Sequence, residues 1–502
     1  MESLGKQRPS TQSPESPGEF GSNGISLTQN AGLVGLSKLV NIVGLLVASM
    51  VLTRLLSRSE YGNYEQVWLI YNSFLPLIGY GLSSAIYFFS AREERRSVYS
   101  AAVVGSSIVG IITGILLAVL APTISLWFNA TQLVDYIRIF SVYAVISSTS
   151  MMFEAVFVTE KKVGLLLFGN AIISVLFGIM VSLSALEFHS LTAVFISIVI
   201  VGVVKSLYLF SFLIKSGNLT TRKLSPIMKA QLFYAFPIFI SSLTGMISRQ
   251  IDKYLVTLFC SSDQFAVYAI GAKEIPLIAV ITGSASAVLF PVFSDFGFLE
   301  LRERFVEIWK NSISKTGLFL LPIMVFLLFA AKDFMHFFFG QKYVASSTIF
   351  RIFLLLIPLR LAFYSQALLS LGRQKLYMYT AIGEMVLSGA ASYFLLMKYG
   401  LEGAAVGKVA VTYLEVAVLV VALLIFLKTS VRQFFPWIII VKILILSMIS
   451  LVPVFFAQKF LANVYLRFLV EGFLFVLVYA AAAIVTKSVR IIDLRRLRFV
   501  VS

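Results

Sequence analysis

The 502-residue sequence predicts an all-α polytopic membrane protein. It should have about fourteen transmembrane helices: two pseudo-repeated six-helix lobes and two further helices at the C-terminus. Three observations predict this. Hydrophobic residues make up 59% of the chain and charged residues only 13%, with 45 Phe. Soluble proteins average about 45–50% apolar and about 25% charged, and a single soluble core does not grow to absorb such an excess. Apolar runs close to the ~20 residues of one bilayer crossing recur from residue 29 onward, broken by short polar punctuation. A faint internal repeat, at an offset of 204 residues, relates the two halves. An ordinary cytosolic enzyme is excluded. So is a membrane β-barrel, because runs such as Phe473–Val485 are apolar on every side rather than alternating with period two.

Residues 1–28 are rich in Ser, Pro, Gly and Gln, hold no signal-peptide core, and read as a disordered cytoplasmic tail. The N-lobe, 29–214, takes spans 1 to 6 at 29–53, 63–90, 98–120, 134–158, 163–184 and 190–214. Pro76, Gly79 and Gly81 predict a kink in span 2. Residues 215–231 read as a cytoplasmic linker. The C-lobe, 232–427, takes spans 7 to 12 at 232–258, 264–295, 312–331, 348–371, 377–397 and 403–427. Spans 13 and 14 fall at 436–456 and 464–486 within 428–486, and 487–502 is a basic cytoplasmic tail. The longest outer loop is expected at about 332–347.

The net charge of +17 would suggest nucleic acid in a soluble protein. Here topology accounts for most of it. An even number of spans puts both termini on one side. With that side cytoplasmic, 24 of the 41 Lys and Arg lie in inner segments and 6 in outer ones, as the positive-inside rule requires. Eleven remain within the spans: Lys38, Arg138, Lys205, Arg249, Lys253, Lys273, Arg351, Arg360, Lys408, Lys442 and Arg467. A charge at mid-bilayer costs roughly 2.5–3.5 kcal/mol. Lys205 and Lys442 suit snorkelling from span ends, but eleven such residues point to an aqueous cavity for several. The single Cys260 and the distant His189 and His336 give no basis for a disulfide, a metal site or a cofactor.

The repeat aligns 53–90 with 257–294. Thr53/Thr257, Ser57/Ser261, Tyr64/Tyr268, Gly79/Gly283, Phe89/Phe293 and Ser90/Ser294 are identical. It maps span 1 onto span 7 and span 2 onto span 8, six spans apart and so in the same orientation. Parallel repeats of this kind place a transporter's site between its lobes.

Leu52–Tyr64, LTRLLSRSEYGNY, resembles the first-loop motif of the bacterial polysaccharide (Wzx-type) flippases of the multidrug/oligosaccharidyl-lipid/polysaccharide (MOP) exporter superfamily. Arg249–Val256, RQIDKYLV, resembles their seventh-helix motif, and Val267–Lys273, VYAIGAK, the start of their eighth helix. The resemblance covers about 29–486. It implies a central cavity lined by helices 1, 2, 7 and 8, and cytoplasmic termini in a bacterial or archaeal plasma membrane. It implies a transporter, not an enzyme, that carries an undecaprenyl-diphosphate-linked oligosaccharide from the inner to the outer leaflet. Implied partners are that lipid-linked glycan, membrane lipids, and polysaccharide polymerase or export machinery.

Such a substrate needs cations for its phosphates, with Arg adding bidentate geometry. Ser242, Gly245, Arg249, Asp252 and Lys253 share one broad face of span 7. Asp252 is expected to pair with Arg249 and leave Lys253 as positive excess. Lys38 and Asn41 on span 1, and Lys273 and Glu274 on span 8, are further cavity candidates, followed by Arg138, Arg351 and Arg360. Arg351 and Arg360, nine residues apart, should occupy opposite faces of span 10, with Glu384 and Glu415 as their neutralising partners. Arg467 and Glu471 are spaced for an intrahelical pair. Glu65, Glu154, Asp252 and Glu384 are the ion-coupling candidates. Tyr64, Tyr71, Tyr80 and Tyr87 offer sugar-facing surface, and spans 13 and 14 a groove for a polyprenyl tail. A drug/cation antiporter of the same superfamily is the nearest alternative, and a membrane polysaccharide polymerase or acyltransferase the next. Span 1 lacks the carboxylate of the former, and no large outer loop or clustered partner for His336 suits the latter; the lack of a nucleotide-binding motif argues against ATP hydrolysis.

Overall fold

The computed structural model describes residues 27–298 and 302–486. Side chains at 27–34, 37–38, 284, 287–288, 290–292 and 294–298 fall outside that description. The expectations for residues 1–26 and 487–502 lie outside it as well. The described chain is predominantly helical, with no strand among the described residues. Eleven helices there are long and apolar enough to cross a membrane, or twelve counting one pair bent by 46°.

The N-lobe contains α1 (Leu27–Leu55), α2 (Arg58–Gly79), α3 (Leu82–Phe89), α4 (Arg95–Trp127), α5 (Leu133–Ser150), α6 (Phe153–Thr159), α7 (Val163–Phe188) and α8 (Leu191–Lys215). The expected kink in span 2 is a full break between α2 and α3. Tyr80 and Gly81 both adopt positive φ there, at 44° and 68°. Span 4 breaks between α5 and α6. The lobe packs α1 on α7, α4 on α5, and α5 on α2 and α8. Its centre is aromatic: Trp68 meets Phe140 edge-on at 5.1 Å, and Tyr64 stacks on Phe195 at 5.9 Å. Tyr64 and Tyr71 are buried in this cluster and present no surface to sugar. Aromatic rings at these spacings pack a core with favourable quadrupole geometry.

α9 (Leu224–Phe259) starts eight residues before the expected seventh span, so half of the expected linker is helix. α10 (Ser262–Gly271) and α11 (Pro276–Phe298) are the bent pair. α12 (Arg302–Phe339) extends well past its expected end and shortens the loop foreseen at 332–347. α13 (Ser346–Leu354) and α14 (Tyr364–Ser370) are joined through a 3₁₀ turn, Ile357–Leu361.

α15 (Gln374–Leu427) runs for 54 residues, roughly 80 Å of helix at 1.5 Å per residue. It is in fact a hairpin. Gly400 takes φ 68° and ψ −150°, a region essentially reserved for glycine. The two arms fold back until Ser392 Oγ donates to Ala404 O at 3.2 Å. A Cβ on Gly403 or Gly407 would run into the opposite arm's backbone. α16 (Val431–Phe434) leads into α17 (Trp437–Phe460) and α18 (Val464–Val485). These last two pack on each other and on α12, outside the lobe interface. Lys442, expected to snorkel, donates instead to Thr486 O at 2.7 Å, the C-terminal end of α18.

Candidate functional site

The lobes meet where α1 turns into α2 and α9 into α10, and the sequence repeat explains how. Ser57 Oγ accepts from Glu60 N at 3.2 Å while Glu60 accepts from Ser57 N at 2.8 Å. At the repeat-related position Ser261 Oγ accepts from Gln264 N at 3.3 Å, and Gln264 accepts from Ser261 N at 3.1 Å. Two capping boxes therefore start α2 and α10 in the same way. The two helices then pack directly. Gly62 lets α2 lie against the Ser262 backbone, where any Cβ would overlap the carbonyl. Gln66 donates to Thr257 Oγ1 and accepts from Ser262 Oγ, both at 3.3 Å. Arg54 Nη2 donates to Phe337 O at 2.7 Å, and Lys342 Nζ to Leu56 O at 3.0 Å. This capped end of the molecule is closed.

Behind it lies a charged lock. α10 stops at Gly271 and the chain resumes as helix at Pro276. The intervening stretch carries Lys273 across to the N-lobe. Its Nζ donates to Ser49 Oγ at 2.8 Å, Glu65 Oε1 at 3.1 Å and Tyr61 Oη at 3.2 Å. Tyr61 Oη donates to Glu65 at 2.6 Å and meets Ser49 Oγ at 2.7 Å. Glu65 is thereby neutralised and hydrogen-bonded, the condition for burying a carboxylate. The next residue, Glu274, faces away and pairs with Arg360 from the 3₁₀ turn. Both line a small cavity with Ile278, Phe353 and Ile357.

Further along α9, the charges divide into answered and unanswered. Asp252 is buried and accepts from Tyr268 Oη at 2.8 Å. Ser248 donates to Glu384, whose other oxygen accepts from Lys408 at 2.6 Å. Arg249, which is exposed, and Lys253, which is half-buried, make no direct ion pair or hydrogen bond among the described residues, and Lys253 acts only at longer range on Glu65, whose carboxylate Lys273 already holds. α9 itself packs on α2, α3 and α4 of one lobe and on α15 of the other, so it spans the interface.

Residues 51–348 match the profile of a family described as polysaccharide biosynthesis protein. The chain belongs to this family. A candidate O-antigen transporter of Shigella flexneri is 25% identical over 190 residues, which cover 36% of this chain and 43% of that protein. The match therefore spans under half the length of that relative. Among solved structures, the lipid II flippase MurJ in an inward closed conformation superposes with TM-score 0.68 at 16% identity. That superposition covers 91% of this chain and 99% of MurJ. An inward-facing multidrug resistance MATE family transporter of the MOP superfamily gives 0.62 at 15% identity, covering 79% and 98%. A MOP superfamily transporter from Pyrococcus furiosus gives 0.55 at 17%, covering 80% and 96%. The chain shares its fold with these three structures.

Several expected pairings in this polysaccharide biosynthesis protein are corrected. Asp252 does not pair with Arg249, because Tyr268 of α10 takes its carboxylate. Glu384 answers Lys408 rather than Arg351 or Arg360. Arg351 instead donates to Leu328 O at 2.9 Å. Arg467 does pair with Glu471 as expected, at 4.0 Å, but its closer partner is Asp333 of α12. Arg138 sits exposed beside Asp135 at 3.9 Å. Asn41 accepts from Ser174 Oγ at 3.4 Å, and Glu154 interacts electrostatically with Lys205. Lys38 lies on α1, its side chain outside the description. The Glu65–Lys273 lock and the Asp333 clamp were missed because each joins residues more than a hundred positions apart. The matching S-x-x-E and S-x-x-Q boxes were the available clue to the first.

Proposed function

We propose that this protein moves an undecaprenyl-diphosphate-linked oligosaccharide from the cytoplasmic to the outer leaflet by alternating access. Fourteen crossings follow if α1 crosses, α15 crosses twice, and α10 and α11 together cross once. Both termini are then cytoplasmic and the capped end faces outward. The observation that carries the reading is the pair of unanswered cations, Arg249 and Lys253, on the helix that spans the lobe interface. A cation without a counter-ion inside a membrane-spanning segment is costly. It persists where an anionic ligand answers it, and a diphosphate is such a ligand. Membership of the polysaccharide biosynthesis family favours a glycan as the cargo attached to that anion. A cationic drug would be repelled by the same face.

In this cycle Lys273 has a role distinct from substrate capture. In the outward-closed conformation its ammonium is already taken by Glu65, Tyr61 and Ser49, so it holds the outer gate. Opening outward separates it from Glu65. Arg249→Ala should abolish glycan export in cells while the purified variant keeps its melting temperature and insertion. Normal export by Arg249→Ala would remove this residue from the site.

A further inference from the structure

α18 carries Arg467 in its first turn and Glu471 one turn deeper. Arg467 forks onto Asp333 of α12, with Nε to Oδ2 at 2.8 Å and Nη2 to Oδ1 at 2.5 Å. A bidentate guanidinium–carboxylate pair answers both charges completely. Glu471 is left 4.0 Å from the guanidinium, with its side chain 0% exposed. Neither of its carboxyl oxygens makes a hydrogen bond of good geometry among the described residues, although the Gln458 amide and the Asp333 carboxyl lie within interaction range. The groups facing it are Arg467 on its own helix, Asp333 on α12 and the neutral Gln458 on α17. His336 of α12 packs on Tyr465 and Lys459 of α17 lies over Phe455, both turned elsewhere. Two carboxyls and one guanidinium would leave one unanswered negative charge on a helix face where Phe468 and Phe475, one turn to either side of Glu471, both pack on Phe326 of α12. A hydrocarbon setting does not tolerate that charge.

We infer that Glu471 is a proton-binding site, neutral in this conformation, that releases its proton during the transport cycle. A metal ion is the poorer occupant. No group of three His, Cys, Asp or Glu able to hold one occurs among the described residues, and the aromatic wall supplies no oxygen ligands. The site lies outside the lobe interface, yet it reaches the outer gate. Asp333 is one helical turn before Phe337, whose carbonyl receives Arg54 from α1. Arg54 also sits 6.0 Å over the ring of Tyr465 on α18. On losing its proton, Glu471 competes with Asp333 for Arg467, releases the outer end of α12, and loosens the Arg54 contact. This second step rests on the alternating-access reading; proton binding itself does not.

The test uses the purified full-length protein in lipid nanodiscs without glycan, so its failure is separate from failure of the substrate reading. Infrared difference spectra on titration from acid to alkaline pH should show loss of a protonated-carboxyl band. Glu471→Gln should lack that band. So should Asp333→Asn, which frees Arg467 to ionise Glu471 and serves as a second variant should Glu471→Gln melt early. Membrane-impermeant maleimide should label the native Cys260 several-fold faster in wild type than in Glu471→Gln at the same alkaline pH. A band of unchanged amplitude in both variants, or one that follows sodium at fixed pH, overturns the proton site. Equal labelling of Cys260 in wild type and variant overturns its link to the gate.

Discussion

Lys408 and Glu384 face each other across the arms of α15 at 2.6 Å, with side-chain exposures of 12% and 7%. Ser248 of α9 donates to the same carboxylate, and Lys408 also donates to Ser248 O at 3.1 Å. This cluster therefore ties the hairpin to the interface helix. Removing one partner strands the other in a setting that cannot solvate it. Lys408→Met should cost about 3–5 kcal/mol, the usual loss when a buried pair is broken on one side, and should lower the melting temperature in detergent. The double variant Lys408→Met with Glu384→Met should recover most of that loss, because two apolar side chains leave no orphan charge. Which residues are charged within spans was legible in the sequence. Which ones answer each other was not. Spacing rules reach only neighbours on one helix, so Asp252 suggested Arg249 when its partner is Tyr268, and the Arg467–Glu471 pair was legible while the closer clamp of Arg467 on Asp333 was not.

At the scale of elements, every expected span contains helix, because length and uniform apolarity are properties of a single segment. The breaks were harder to read. The one at Tyr80–Gly81 announced itself through Pro76, Gly79 and Gly81, whereas that between α5 and α6 carries no Pro or Gly. The most consequential interruption, after Gly271, sends two adjacent charges in opposite directions: Lys273 to the N-lobe and Glu274 to Arg360. On an unbroken helix they would differ by only about 100°. The contact of α2 on α10 depends on the missing side chain at position 62. Gly62→Val should hold the outer gate apart. Membrane-impermeant maleimide should then label Cys260, two residues from the contacting Ser262, faster than in wild type, and glycan export should fall. Unchanged labelling would mean that α2 and α10 can separate at this point without opening the gate.

At the scale of the whole molecule, the segments that the sequence repeat aligns contribute differently to the interface, and α17 and α18 lie outside them. The capping boxes at Ser57 and Ser261 preserve the common start, and the helices they open still pack together. Beyond that point the halves differ in charge. The N-lobe contributes Glu65 to the lock, and the C-lobe contributes Lys273 together with the unanswered Arg249 and Lys253. Positive charge is thus concentrated on one wall of the interface, and under the proposed cycle a diphosphate bound there crosses the bilayer as an incompletely neutralised anion. An inside-negative potential favours outward movement of that charge by roughly 2.3 kcal/mol per elementary charge per 100 mV. In proteoliposomes carrying a potassium diffusion potential, glycolipid flipping toward the positive side should accelerate and flipping toward the negative side should slow. The asymmetry should grow when Lys253 is replaced by Gln, because the bound anion then travels with less of its charge compensated. Equal rates under both polarities would mean that the moving complex is neutral, and that the drive must come from ion exchange at carboxylates such as Glu65, Glu384 or Glu471.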